Sequence, residues 1–130
     1  MGNFIKLSLT ESGWNYIYED ASSIAMNILG NFLSCDVGCS KQCSPSFQDW
    51  ALDDKLGMGT SGNITFLEKE GNYIFLTDQC SQEEDPTELK MSRQQFVKLL
   101  DEWQEKVCKT KPKEVIIKHE SDIFFIEIIE

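Results

Sequence analysis

Residues 91–107 read MSRQQFVKLLDEWQEKV, and this stretch decides the fold class. Ser92 and Gln95 have the spacing of a capping box, in which each side chain bonds the other residue's free backbone N–H. Pro112 ends the pattern, because proline interrupts a helix. The stretch therefore predicts a long amphipathic helix near residues 92–110, with one apolar face made of Phe96, Leu99, Leu100, Trp103 and Val107.

Strand patterns lie on both sides of this helix. Two β-rich runs at 64–68 and 73–77 flank a turn-forming segment and predict a hairpin. Residues 115–117 and 123–129 predict a second hairpin after the helix. The run at 123–129 is apolar at nearly every position, which favours a central place in a sheet because an exposed apolar edge invites aggregation.

The first half of the sequence carries shorter patterns. Residues 5–9 alternate between apolar and polar, as in a half-buried strand, and residues 14–18 form either a second strand or the start of a helix. Asp20 or Ser22 is the expected N-cap of a helix that ends near residues 30–31.

Polar residues 34–46 predict a connection, within which Ser44 caps a short helix, and residues 58–63 predict a loop. All these elements together predict an α+β domain covering residues 1–130. Its architecture is an antiparallel sheet of about five or six strands with helices packed on one side.

Composition restricts the class of protein. The chain has 130 residues, of which 41% are hydrophobic, as expected of one globular domain. It has no apolar run of the roughly 20 residues that a membrane helix needs and no N-terminal signal pattern, so we expect a cytoplasmic protein without membrane contact. A net charge of −10 argues against nucleic-acid binding and favours a basic partner, although solubility alone also accounts for it.

The cysteines suggest two alternatives. An odd number, five, suits a reducing compartment in which thiols stay free. Alternatively, Cys35, Cys39 and Cys43 could share a metal ion, with Cys80 or His119 as the fourth ligand. A shared metal ion would make this a small metal-binding regulatory protein, whereas free thiols assign no cofactor.

Catalytic patterns are weak in this sequence. His119 is the sole histidine, so it is the only candidate base for a cysteine nucleophile. The glycines at 57–62 lack the lysine of a phosphate-binding loop. Neighbouring carboxylates are uninformative in so acidic a chain, and we therefore predict a protein that is not an enzyme.

Clustered carboxylates are the candidate partner-binding residues. Such clusters speed the encounter with a cationic protein and orient it, although a solvated loop has the same composition. The clusters consist of Asp53 and Asp54, Glu68 and Glu70, and Glu83, Glu84 and Asp85.

The helix and the strand after it resemble those of small bacterial immunity proteins encoded beside polymorphic toxins, including toxins of contact-dependent growth inhibition. The similarity covers residues 86–120. It lies in a Met-Ser-Arg helix start at 91–93, a Leu-Leu-Asp-Glu-Trp helix body at 99–103 and a Lys-Pro-Lys-Glu segment at 111–114 that leads into a strand.

This resemblance implies a non-enzymatic cytosolic inhibitor. Such a protein binds one cognate toxin domain, often a basic nuclease, and blocks its active site or substrate surface. The resemblance lies in the scaffold and carries over no binding residue. An adaptor for a different protein partner remains a further alternative.

Overall fold

The computed structural model describes residues 3–11, 16–39, 42–62, 64–79, 87–120 and 123–129. Within these ranges the chain forms eight strands and three α-helices. In chain order they are β1 (Asn3–Leu9), β2 (Tyr16–Ala21), α1 (Ile24–Asn31), α2 (Cys43–Leu52), β3 (Gly59–Ser61), β4 (Thr65–Glu70), β5 (Tyr73–Asp78), β6 (Leu89–Ser92), α3 (Arg93–Glu102), β7 (Glu114–Glu120) and β8 (Ile123–Ile129).

The strands form two antiparallel sheets. Sheet 1 has the order β2-β1-β7-β8, and sheet 2 has the order β3-β4-β5-β6. The α+β class and both predicted hairpins are confirmed, but the strands of the described residues divide between two sheets instead of forming one sheet of five or six. Sheet 1 forms because β1 pairs with β7, with Ile5 opposite Ile117.

Helix α3 begins as its sequence predicts. The Ser92 hydroxyl accepts a hydrogen bond from the Gln95 N–H at 3.0 Å, and the Gln95 side chain accepts one from the Ser92 N–H at 2.9 Å. The helix continues as a π-helical turn over Trp103–Cys108. All members of its predicted apolar face are buried: Phe96, Leu99, Leu100, Trp103 and Val107.

Two helices join the sheets into one core. Helix α1 contacts β1 and β2 of sheet 1 as well as β5 and β6 of sheet 2, and α3 contacts β8 as well as β5 and β6. Helix α2 lies against α3, where the Gln48 amide donates to Asp101 at 2.8 Å. Burial of the inward residues of both sheets against these helices supplies the main stabilisation of the fold.

The segment between α1 and α2 differs from its prediction. Helix α1 runs on through a π-helical turn, Phe32–Val37, where the sequence predicted a polar connection. Ser23, and not Asp20 or Ser22, caps α1 by accepting a hydrogen bond from the Met26 N–H. Ser44 lies inside α2 instead of capping it, because its buried hydroxyl accepts a hydrogen bond from the Gln104 side chain.

Three further elements settle or correct the predictions. Residues 16–21 form strand β2, which decides between strand and helix, while residues 14 and 15 lie outside the described ranges. Gly59–Ser61 is a short strand in the predicted loop. Strand β8 was predicted to be central, but among the described strands it pairs with β7 alone, because β1 occupies the other side of β7.

Candidate functional site

The β4–β5 hairpin collects aromatic and acidic side chains on the outer face of sheet 2. Glu70 lies opposite Tyr73 and Glu68 opposite Phe75, and a two-residue turn with Gly71 at a φ of 59° fixes this register. Alternate side chains of a strand point to opposite faces, so the residues between them face the core. We define the Tyr73 face as Phe66, Glu68, Glu70, Tyr73, Phe75 and Lys90.

Tyr73 is the most prominent side chain of this face. Its side chain is 45% exposed, and the Lys90 ammonium lies 4.1 Å from the ring centroid. Two shallow depressions meet at this tyrosine. Lys90, Gln95 and His119 help to line the first, and Leu52, Asn72 and Arg93 the second. The Tyr73 ring thus lies between the two depressions, with the Lys90 ammonium over one of its faces.

Phe66 and Phe75 extend the aromatic area across the sheet. Phe66 is 39% exposed, and its ring lies close to Gly59 of the neighbouring strand, within 3.4 Å of where a Cβ would stand. Phe75 is half-buried in the centre of the face, where it pairs with Lys90 on β6. Aromatic residues are enriched at protein interfaces because they bury much area at little cost in side-chain entropy.

Glu68 and Glu70 supply the negative charge of the Tyr73 face. Both side chains are exposed. In the described part of the chain, neither carboxylate forms an ion pair. Their charges are therefore directed at solvent, where a cationic partner can reach them.

The structure separates the other predicted carboxylates from this face. Asp54 accepts a hydrogen bond from Arg93 at 2.8 Å and lies 3.7 Å from the Lys69 ammonium, which is on the inner side of sheet 2. Asp53 caps the following 3-10 turn through the Lys55 N–H at 3.0 Å. These two carboxylates thus have partners within the chain, and the predicted residues Glu83, Glu84 and Asp85 lie outside the described residues.

Cys35, Cys39 and Cys43 are not all free thiols, as the predicted shared metal site would need. Cys39 is joined to Cys108 by a disulfide across 69 residues of sequence, because the end of the α3 turn lies against the end of the α1 turn. Cys35 and Cys43 are free, the first exposed and the second partly buried. Among the described residues, no group of three histidine, cysteine or acidic side chains has a metal-binding arrangement.

Comparison of this chain with protein-family models, curated protein sequences and solved structures finds no match. None of the helices in the described ranges has the length and apolar character needed to cross a membrane.

Sequence reasoning found the acidic half of the Tyr73 face and missed its aromatic half. Glu68 and Glu70 are one of the carboxylate clusters that the sequence offers for partner binding. The predicted hairpin also contained the signal for Tyr73 and Phe75: a two-residue turn at 71–72 places residue 73 opposite residue 70 and residue 75 opposite residue 68.

Proposed function

We propose that this protein is an inhibitor that binds a basic bacterial toxin domain through the Tyr73 face and covers the toxin's active site or substrate surface. The observation that carries the proposal is the position of exposed Tyr73 and Phe66 beside Glu68 and Glu70, whose carboxylates form no ion pair with another described residue. The resemblance of residues 86–120 to immunity proteins supports the class of partner.

The two kinds of side chain have separate tasks in this proposal. Interface affinity is concentrated in a few aromatic or arginine anchors that become fully desolvated, so Tyr73 is the expected anchor. Carboxylates at the rim raise the association rate for a basic partner and fix its orientation. The net charge of −10 adds a long-range attraction to the same partner.

Inhibition follows from occlusion without any chemistry. A nuclease domain needs a basic cleft to hold its phosphodiester substrate. A protein surface that places carboxylates and aromatic rings over that cleft competes with the substrate for the same cations. The inhibitor therefore needs no cofactor and no catalytic residue.

The test first requires a candidate toxin, which is sought as the C-terminal domain of a large secreted protein in a reading frame next to that of this chain. Its expression alone should arrest growth, and co-expression of the wild-type chain should restore it. The purified pair should form a one-to-one complex. A neighbouring domain that the wild-type chain neither binds at micromolar concentration nor neutralises would refute the proposal.

Variants then test the assigned surface. We expect Tyr73→Ala to raise the Kd at least 30-fold, the change of about 2 kcal/mol that defines an interface anchor. We expect the double variant Glu68→Lys, Glu70→Lys to lower the association rate at least tenfold at low salt.

The control for the charge variant is Glu11→Lys with Glu105→Lys, because both residues are exposed and lie outside the Tyr73 face. This control makes the same change in net charge. Equal losses of association rate in both double variants would show that net charge alone matters and that the Tyr73 face is not the binding surface.

A further inference from the structure

The β4–β5 hairpin sets each carboxylate of the Tyr73 face beside an aromatic ring. Glu70 lies directly opposite Tyr73 across the ladder, and Glu68 lies directly opposite Phe75. Directly opposed residues of an antiparallel pair have Cβ atoms about 5 Å apart, so the side chains of each pair reach each other. Both pairs are on the outer face of sheet 2, because the residues between them on the two strands are buried.

The glutamates of these pairs have no cationic partner among the described residues. Both are exposed, and neither belongs to any ion pair in the described ranges. The Lys90 ammonium over the Tyr73 ring comes from β6, whereas both glutamates belong to β4, on the other side of β5. The two pairs therefore form a row of carboxylates and rings along the hairpin.

The guanidinium group of arginine has the chemistry that fits such a pair. It binds a carboxylate through two parallel hydrogen bonds, and its flat face stacks on an aromatic ring. The ammonium group of lysine forms no such double bond with a carboxylate and is more strongly hydrated. A carboxylate beside a ring therefore favours arginine over lysine at equal charge.

We propose that the two pairs bind two arginine side chains of the basic partner, one at Glu70 and Tyr73 and the other at Glu68 and Phe75. This inference rests on the proposed function and names the partner residues that the Tyr73 face recognises. Glu68 and Glu70 are two residues apart in a strand, so the two sites are about 7 Å apart. Arginines at positions i and i+2 of an extended segment have the same spacing and point to the same side.

Charge complementarity supports this occupant of the sheet face. Each glutamate carries one negative charge, which one guanidinium group balances. The whole chain carries −10 and attracts a cationic segment from a distance. Tyr73 is 45% exposed and Phe75 is half-buried, so both rings keep surface on which a guanidinium group can stack. Arginines bound in this way are withdrawn from a phosphodiester substrate.

Peptide titrations test the inference without a toxin. The probe is the tripeptide Arg-Ala-Arg with blocked ends, and the comparison peptide Lys-Ala-Lys carries the same charge. Titration of the isotope-labelled wild-type chain at low salt, followed by NMR, should shift the amide signals of Glu68, Glu70 and Tyr73. We expect the Kd of the lysine peptide to be about threefold higher, because it lacks the bidentate and stacking contacts.

An isomeric peptide tests the spacing of the two sites. Arg-Arg-Ala has the composition and charge of Arg-Ala-Arg, but its neighbouring arginines point to opposite sides of an extended chain. Its Kd should be about threefold higher, which corresponds to the loss of one exposed ion pair. Equal Kd values for the two isomers would refute the assignment of two arginines to the two pairs.

Two variants separate the roles of charge and ring. The double variant Glu68→Gln, Glu70→Gln keeps the size of both side chains and removes both charges, so the Kd of Arg-Ala-Arg should rise about tenfold. The variant Tyr73→Leu keeps an apolar side chain and removes a ring, so it should narrow the difference between the arginine and lysine peptides.

The matched control is Glu11→Gln with Glu105→Gln, which makes the same change in net charge at exposed positions outside the Tyr73 face. It should bind Arg-Ala-Arg like the wild type. Equal losses in the two double variants would overturn the inference. Equal Kd values for the arginine and lysine peptides would overturn it too, as would the absence of amide shifts at about 10 mM peptide.

Failure of this inference is distinguishable from failure of the proposed function. A wild-type chain that neutralises a candidate toxin but shows no preference for the arginine peptide would overturn the inference alone. Arginine-selective binding at the Tyr73 face by a chain that neutralises no candidate toxin would support the inference and overturn the proposed function.

Discussion

Replacement of Lys69 by methionine tests how sheet 2 is joined to the C-terminal end of helix α2. Lys69 belongs to β4, but its side chain points into the core and is fully buried. Its ammonium donates hydrogen bonds to the Trp50 carbonyl at 2.6 Å and to the Asp53 carbonyl at 3.1 Å. It also lies 4.7 Å from the centroid of the Trp50 ring. One cation thus satisfies carbonyls at the C-terminal end of α2.

The expected loss follows from three contributions. Two hydrogen bonds from a charged donor contribute about 3–6 kcal/mol together. The contact with the Trp50 ring adds about 1 kcal/mol. Removal of a buried charge returns about 1–4 kcal/mol, because methionine needs no desolvation of an ammonium. The midpoints of these three contributions give a net decrease of about 3 kcal/mol in the free energy of unfolding.

Urea unfolding followed by tryptophan fluorescence measures this loss, since Trp50 and Trp103 are both buried. The control is Lys55→Met, which removes an exposed lysine next to α2 and should change the free energy of unfolding by less than about 0.5 kcal/mol. Coincident unfolding midpoints for wild type and Lys69→Met would refute the assigned role, as would an equal loss in Lys55→Met.

Three other substitutions test the core and the disulfide. Trp103→Ala should lower the free energy of unfolding by about 3–5 kcal/mol as a core truncation. The ring is fully buried, and its N–H donates a hydrogen bond to the Gly38 carbonyl at 2.8 Å. A loss under 1 kcal/mol in urea unfolding would contradict this prediction. Burial raises the pKa of Tyr16 above its usual 10.0, so the unfolded chain ionises first and stability should fall as pH rises above 10. Tyr16→Phe should flatten that decline, and identical slopes would exclude the tyrosine as its source. Cys39→Ala with Cys108→Ala should cost about 2–4 kcal/mol by releasing a long loop in the unfolded state, and a non-reducing peptide map should show the two cysteines linked.

The sequence predicted those elements whose determinants are local. The capping box that starts α3 spans four residues, and the apolar residues of its buried face recur within three turns. The β4–β5 hairpin is equally local, because a glycine-containing turn fixes its register. These elements are predictable because the chain segment that forms them also contains the signals for them.

The division into two sheets was not predictable in the same way. Strands β1 and β7 lie far apart in the sequence, and no local pattern indicates that they pair. The same reason applies to the Cys39–Cys108 bond and to the edge position of β8. The apolar run of β8 was consistent with a central strand, and only the pairing of β1 with β7 decides against it.

The candidate site contains features that the sequence predicts and features that it does not. The alternation that places Glu68 and Glu70 outside also places Lys69 inside, and this could be derived from the hairpin. The partners of Lys69 could not, because they come from the end of α2. Likewise, only the folded structure shows that Asp54 is held by Arg93 and Lys69, whereas Glu68 and Glu70 form no ion pair with another described residue.

Hydrogen exchange of the wild-type chain, with and without a candidate toxin domain, is the most direct test of the proposed binding surface. It needs no substitution and reports on every backbone amide that binding protects. We expect the added protection to concentrate in β4, β5 and β6, around Tyr73. Protection confined to sheet 1 or to the outer surface of α2, with sheet 2 unchanged, would contradict the central claim.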